Sequence, residues 1–394
     1  MANQLKLAER LGLKVLRPPI RQSNAEDRDH CPAYFMWRHR FGLVRKGLAP
    51  SRGLTVGSFF HDLMDANVRG VFEPEALAGC AARIADVSNQ LQSDDMPFTE
   101  AQAAIDNMQK ALSLSRVMAE IAYMQYPLDP KYSVLYTEHQ VQVRPEWMYY
   151  WPITGTLDRI VSEKMPDGSV QYWVLDYKTT SKSPKLRAQT CMREWQTDTY
   201  WLLATETLRT ARLDSSKLAG IIHWIIQVPG ITLGQNDRDF EDVNRIFKSG
   251  PRKGQTVMKR MWHGEPKWEN YYRRASQWYT GTGLCEDRAK TVIENPPIIQ
   301  SFSRYAGNPF VSRMRRCELR SLYRDCTREP NLVAFPIRMS ARKCSSYGAC
   351  PFMRLCQADC SIHREVIAAH YRQLEPKTSE SIDTPKGTDN AQPD

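Results

Sequence analysis

The chain of 394 residues has no run approaching the roughly 18 consecutive apolar residues of a membrane span. Its first residues, MANQLKLAER, are charged and lack an apolar core, so a secretory leader is not expected. There is no internal repeat, which excludes a repeat architecture. No two cysteines stand as Cys-x-x-Cys, which weakens a zinc knuckle. Carboxylates are the scarcer charge: 44 Asp and Glu face 54 Lys and Arg, a net charge of +10. That excess favours a polyanionic partner, nucleic acid first.

Ten cysteines are present. With a cytoplasmic location expected, disulfides are not, and clustered cysteines point to metal or redox chemistry. The stretch CPAYFMWRHRFGL, opened by Cys31, reads as a helix. Phe59, Phe60, Leu63, Met64 and Val68 recur at helical spacing around His61, with Ser58 as a cap. Thr99 and Gln102 suggest a capping box for a long helix carrying Ile105, Met108, Leu112, Met118 and Ile121. YSVLYTEHQVQV, WPITGTLDRIV and VQYWVLDYKTT are strand-like, with Asp167-Gly168 as the turn between the last two. A helix over 192–209 and the strand KLAGIIHWIIQV follow. The expected order is helix, three strands, helix, strand.

The expected organisation has five parts. Residues 1–30 are an N-terminal segment, 31–230 an α/β core, 231–340 a mostly helical or irregular basic elaboration, 341–372 a cysteine-bearing lobe and 373–394 a disordered tail. Within 248–274, eight Lys and Arg meet two Glu. Trp262, Trp268, Tyr271 and Tyr272 are interleaved with those cations and are candidates for stacking on bases. An ordinary amphipathic surface segment is the plainer alternative.

Strand alternation puts Asp176 and Lys178 of DYK on one face, and an antiparallel neighbour brings Asp158 of GTLD beside them. Two carboxylates suit a hard divalent ion. A neighbouring lysine can orient water or stabilise developing negative charge. Glu138, on the preceding strand, is a further candidate carboxylate. His61 is either a third metal ligand or a packed helix histidine. Gln196 and Tyr200 lie one helical turn apart and share a face.

GSFFH (57–61), GTLD (155–158), DYK (176–178) and QTDTY (196–200), in that order, resemble the RecB-like branch of the PD-(D/E)XK nucleases. The resemblance covers about 31–228 and returns at 344–356. It implies a restriction-endonuclease-like core, a mixed sheet flanked by helices, with a helical elaboration and a four-cysteine cluster lobe. It implies Mg2+ or Mn2+ held by His61, Asp158, Asp176 and the backbone carbonyl of Tyr177, with Lys178, Gln196 and Tyr200 in the active site. DNA, single-stranded or end-containing, is the implied partner and substrate. The acidic position of D/E-x-K is Asp here, shorter than Glu. A non-catalytic DNA-binding or scaffold subunit is the competing function, and the complete Asp158, Asp176 and Lys178 set argues against it.

Cys344, Cys350 and Cys356 stand in KCSSYGACPFMRLC, far downstream of Cys31. One upstream cysteine with a C-terminal trio is similar to the iron staple of the AddB-type helicase-nucleases and the CRISPR adaptation nucleases. It implies a 4Fe-4S cluster on four thiolates. Zinc on the same four is the alternative, as are buried free thiols, and Cys360 competes with Cys356 for the fourth place.

Overall fold

A computed structural model describes residues 7–374 apart from 49–51, 70–72, 95, 126–128, 192–193, 232, 247–248, 252–253, 283–285, 305–308, 331–334, 336–343 and 345–349. The helices are α1 (Leu7–Leu11), α2 (Gln22–His30), α3 (Pro32–Phe35), α4 (Arg52–Arg69), α5 (Glu73–Ser93), α6 (Phe98–Gln125), α7 (Pro184–Cys191), α8 (Trp195–Thr210), α9 (Trp268–Thr280), α10 (Glu286–Glu294), α11 (Pro309–Thr327), α12 (Met353–Gln357) and α13 (His363–His370). The strands are β1 (Leu43–Arg45), β2 (Tyr132–Val143), β3 (Ile153–Lys164), β4 (Val170–Thr180), β5 (Leu218–Gln227), β6 (Asp239–Ile246), β7 (Thr256–His263), β8 (Ile298–Arg304) and β9 (Tyr371–Gln373).

The central sheet runs β2-β3-β4-β5-β8. It is mixed: β4 and β5 are parallel, and the other neighbours are antiparallel. A parallel pair needs a crossover, and α7 and α8 supply it. β5, LAGIIHWIIQ, is buried along nearly its whole length. Helices cover both of its faces, so its sequence is a continuous apolar run rather than an alternation. On one face Ile160, Val174 and Ile221 pack with Leu203, Ala204 and Leu208 of α8. On the other, Trp173, Leu175 and Trp224 pack with Phe59, Phe60 and Leu63 of α4 and Leu114 and Met118 of α6. At the expected turn, Gly168 adopts φ +82° and the Asp167 carboxylate accepts the Ser169 amide hydrogen at 2.9 Å.

The structure departs from the sequence expectation in several places. Residues 231–340 are not only helical or irregular. They contain the β6–β7 ribbon and the edge strand β8. Both ribbon strands, DFEDVNRI and TVMKRMWH, are largely exposed, so no buried face imposes the alternation that announces a strand. α6 starts at Phe98, which puts Thr99 inside its first turn rather than at its cap. The stretch from Cys31 is α3 followed by a π-helical turn, Met36–Arg40, and then β1. β9 includes Gln373, Leu374 donates its N–H to the Gly42 carbonyl at 2.9 Å, and the rest of the expected disordered tail lies outside the described residues.

The two ends of the chain meet. β1 pairs antiparallel with β9, and Phe35, Phe335, Phe352 and Tyr371 share one core. Arg40, 1% exposed, donates to the carbonyls of Leu16, Asp325 and Arg328 at 2.9, 2.6 and 2.7 Å. Asp325 lies in the last turn of α11, where carbonyls lack helical partners, and Arg328 follows that helix, so the guanidinium ties down this helix end. Arg40→Met should therefore lower unfolding free energy by about 1–3 kcal/mol, read by urea denaturation, because three part-buried carbonyls lose their donor.

Candidate active site

The β3–β4 ladder ends at the pair Arg159–Leu175. Asp158 and Asp176 are the next residues on each strand. The Asp158 side chain reaches across the parting strands, and its Oδ2 accepts the Tyr177 backbone N–H at 2.8 Å. A side-chain oxygen thus takes a hydrogen that would otherwise be left bare. Gly155 of GTLD lies where α8 crosses: a Cβ there would stand 2.6 Å from Leu203 Cδ1.

Asp176 has no exposed surface. Its Oδ1 accepts from Lys178 Nζ at 2.8 Å and from Gln196 Nε2 at 3.3 Å. The Gln196 amide oxygen accepts from Lys178 Nζ, and its nitrogen lies 2.7 Å from the Tyr200 hydroxyl oxygen. Burial alone would raise the Asp176 pKa; the Lys178 cation and the hydrogen bond from His223 hold it below the usual carboxylate range. Burial pushes the Tyr200 phenol well above its ordinary pKa, with Asp158 and Asp176 adding to it, so Tyr200 is neutral.

A second group adjoins this network. His61 Nδ1 lies 3.3 Å from Asp158 Oδ2. Donor atoms of His61, Glu138 and Asp158 all lie within 4.8 Å of one another. Glu138 occupies the β2 position across from Asp158, between the pairs Thr137–Arg159 and His139–Leu157, and its φ of +43° interrupts the ladder there. A left-handed conformation is costly for glutamate, and such strain gathers at functional sites. Although its edge is open to solvent, desolvation in the recess and the Asp158 charge raise Glu138 to about 7. For His61, burial works against the cation, but Asp158 overrides it and raises the pKa to about 9. One imidazole nitrogen and two carboxylate oxygens form a donor set that fits a divalent cation.

All the expected site side chains are therefore gathered at one end of the central sheet: His61, Asp158, Asp176, Lys178, Gln196 and Tyr200. The Tyr177 ring points away from Asp176 and packs against Phe60, His61 and Trp224. His223 was missed. Its Nδ1 lies 2.9 Å from Asp176 Oδ2, and the signal was one polar residue in the apolar run IIHWII.

Among the described residues the four cluster candidates form no close donor set like that of His61, Glu138 and Asp158, although Cys31 and Cys344 act on the charge of Cys350 and Cys356. Cys31 precedes α3, and the Cys350 N–H donates to the Cys344 carbonyl at 2.8 Å. Burial, then Cys350, Cys31 and Cys344, raise the Cys356 thiol to about 12. Cys360 is exposed on the next turn.

The basic stretch needs correction. Tyr271 is wholly buried and unavailable to bases, and the Trp268 ring is covered by Arg116 at 4.7 Å. Arg274 pairs with the buried carboxylate of Asp237 at 2.8 Å, while Arg260 and Lys267 pair with Asp242 and Asp239. Trp262 and Tyr272 stay partly exposed. Lys248, Arg252 and Lys253 lie outside the described residues.

No described helix is long and apolar enough to cross a membrane. No curated protein matches the chain. A profile of the PD-(D/E)XK nuclease superfamily matches residues 20–357, spanning the sheet and the His61–Asp158–Asp176–Lys178 constellation, and the chain belongs to that superfamily.

Proposed function

We propose that the protein is a deoxyribonuclease that hydrolyses phosphodiester bonds with Mg2+ or Mn2+, as an exonuclease on single strands or ends in recombination, repair or replication. The observation that carries this reading is the juxtaposition of the His61–Glu138–Asp158 donor set with the Asp176–Lys178–Gln196 network. His61, Asp158, Asp176 and the Tyr177 carbonyl would hold the cation, with Glu138 added. A divalent ion supplies a lowered pKa for the attacking water and counter-charge for the phosphate. Lys178, fixed between Asp176 and Gln196, presents a positioned ammonium to the developing negative charge. Gln196 sets the lysine, and Tyr200 sets Gln196. The test is cleavage of labelled single- and double-stranded DNA with and without each metal. Labels on either end report exonuclease action and its polarity. No cleavage under any of these conditions would favour the non-catalytic DNA-binding subunit.

Metal binding should be linked to protons. A ligating imidazole must be neutral, yet His61 is held up to about 9 and Glu138 to about 7. Apparent Mn2+ affinity should therefore rise with pH until about 9, steepening below about 7, where Glu138 also gives up a proton. Calorimetry at pH 8 in buffers of different ionisation enthalpy should show proton release on binding. Its absence would remove His61 from the ligand set.

For the DNA, Lys259 and Arg273 are exposed cations of the basic stretch, and Arg273 donates to Asn270 Oδ1 at 3.2 Å. Each one that meets a phosphate should, when changed to Ala, lower the slope of log affinity against log salt by about 0.7–0.9. Arg274→Ala should instead destabilise the fold, since it strands Asp237.

We further propose a 4Fe-4S cluster on Cys31, Cys344, Cys350 and Cys356, with Zn2+ as the alternative occupant. Cys31 and Cys344, from opposite ends of the chain, act on the charge of Cys350 and Cys356, which supports a shared site.

A further inference from the structure

The carboxylate of Asp176 is fully buried, so its orientation is set by protein groups alone. Oδ1 has two of them, Lys178 Nζ at 2.8 Å and Gln196 Nε2 at 3.3 Å. At Oδ2 stands His223 Nδ1, 2.9 Å away. Backbone register fixes this last contact, because Asp176 and His223 are direct partners in the parallel β4–β5 ladder. The contact therefore does not depend on loop position or on a long flexible side chain.

His223 is an expensive choice for this place. Its ring is 3% exposed in the middle of the apolar strand, and its Nε2 has no hydrogen-bond partner among the described residues. A leucine or isoleucine there would bury no ring nitrogen, but it would leave Asp176 Oδ2 without this donor. Core packing thus does not account for the imidazole, whereas the Oδ2 contact does. Asp176 accepts from an ammonium group and is acceptor-only as a carboxylate, so Nδ1 must carry the hydrogen and donate it.

We infer that His223 is a positioning residue that holds Oδ2 of Asp176, and so keeps Oδ1 on Lys178 and Gln196 and the carboxylate in the orientation that a cation requires. It touches neither DNA nor the scissile phosphate. This inference rests on the proposed nuclease site, and a direct binding measurement separates the two. An outer partner of a metal-binding carboxylate typically governs affinity or activity by about 10- to 100-fold.

The test compares His223→Leu, which fills the space without a donor, with His223→Asn, whose amide nitrogen replaces Nδ1. Mn2+ affinity is read by electron paramagnetic resonance, and kcat and KM are read on labelled DNA. His223→Leu should weaken Mn2+ binding and lower kcat by about 10-fold or more, with KM for DNA little changed. His223→Asn should recover most of both. Should the Leu variant fail to fold, His223→Gln, whose amide reaches toward the Nε2 position, takes its place and should stay impaired where Asn recovers. Wild-type Mn2+ binding in the Leu variant, or an Asn variant no better than Leu or Gln, would overturn the positioning role. Weakened Mn2+ binding rescued by Asn, in a protein that cuts no DNA, would uphold it while overturning the nuclease reading.

Discussion

Asp176→Asn should reduce metal-dependent DNA cleavage by on the order of a thousandfold or more, with the fold retained. Asn keeps the shape and one acceptor oxygen, so Lys178 or His223 still finds a partner. What disappears is the negative charge in a site with no solvent contact, where that charge is balanced by Lys178. Asp158→Asn should act alike, since its remaining oxygen can still take the Tyr177 N–H while the donor set loses an anion. Lys178→Met should remove the ammonium while leaving most of the aliphatic stem. Alanine is the poorer choice at Asp176. It would strand the Lys178 ammonium and His223 Nδ1 in a buried place, at a cost of about 3–5 kcal/mol, and would confuse lost activity with lost structure. Initial rates on end-labelled DNA, beside melting curves of the same preparations, make the measurement. Unchanged rates in all three folded variants would remove this network from the chemistry.

The second large effect concerns the cysteines. Protein purified without oxygen should be brown and contain iron with acid-labile sulfide. Alanine at Cys31, Cys344, Cys350 or Cys356 should abolish the colour and lower stability by a few kcal/mol or more, on the scale of metal-coupled folding. Cys356 is raised to about 12 by burial and its neighbouring thiols, so without a metal it is protonated. Metal loading must displace such protons, and the apo form should be hard to load at low pH. Cys360→Ala is the control that should stay coloured, because Cys360 is exposed on the turn beyond the trio. Colourless protein with stoichiometric zinc would establish the zinc alternative. A fully brown Cys31→Ala variant would show that the cluster does not join the two ends. Even then the ends would remain attached through β1–β9 and Arg40, so loss of the cluster should loosen the terminal lobe more than the central sheet.

Much of the site was legible before any coordinates. Asp176 and Lys178 are two residues apart on a strand, and Gln196 and Tyr200 four apart on a helix, so each pair shares a face by backbone geometry alone. The runs that form β4 and β5 were legible as strands, whereas the helices that flank the sheet were implied only by the family resemblance. Local sequence also marked the Asp167–Gly168 turn, where the required backbone angle favours glycine.

What the sequence could not express is whatever depends on which strands are neighbours. His223 meets Asp176 only because β5 lies parallel to β4 in one register. Glu138 joins His61 and Asp158 only because β2 flanks β3 and its backbone turns left-handed opposite Asp158. The ribbon β6–β7 escaped detection because strands exposed on both faces carry no hydrophobic period. Charge alone did not show which cations are already engaged: Arg274 pairs with the buried Asp237, and Arg260 and Lys267 form exposed ion pairs with Asp242 and Asp239. Periodicity along the chain determined which side chains share a face. Strand order and register decided which of those faces meet, because contacts between distant segments are set by packing of the whole sheet and have no local signature.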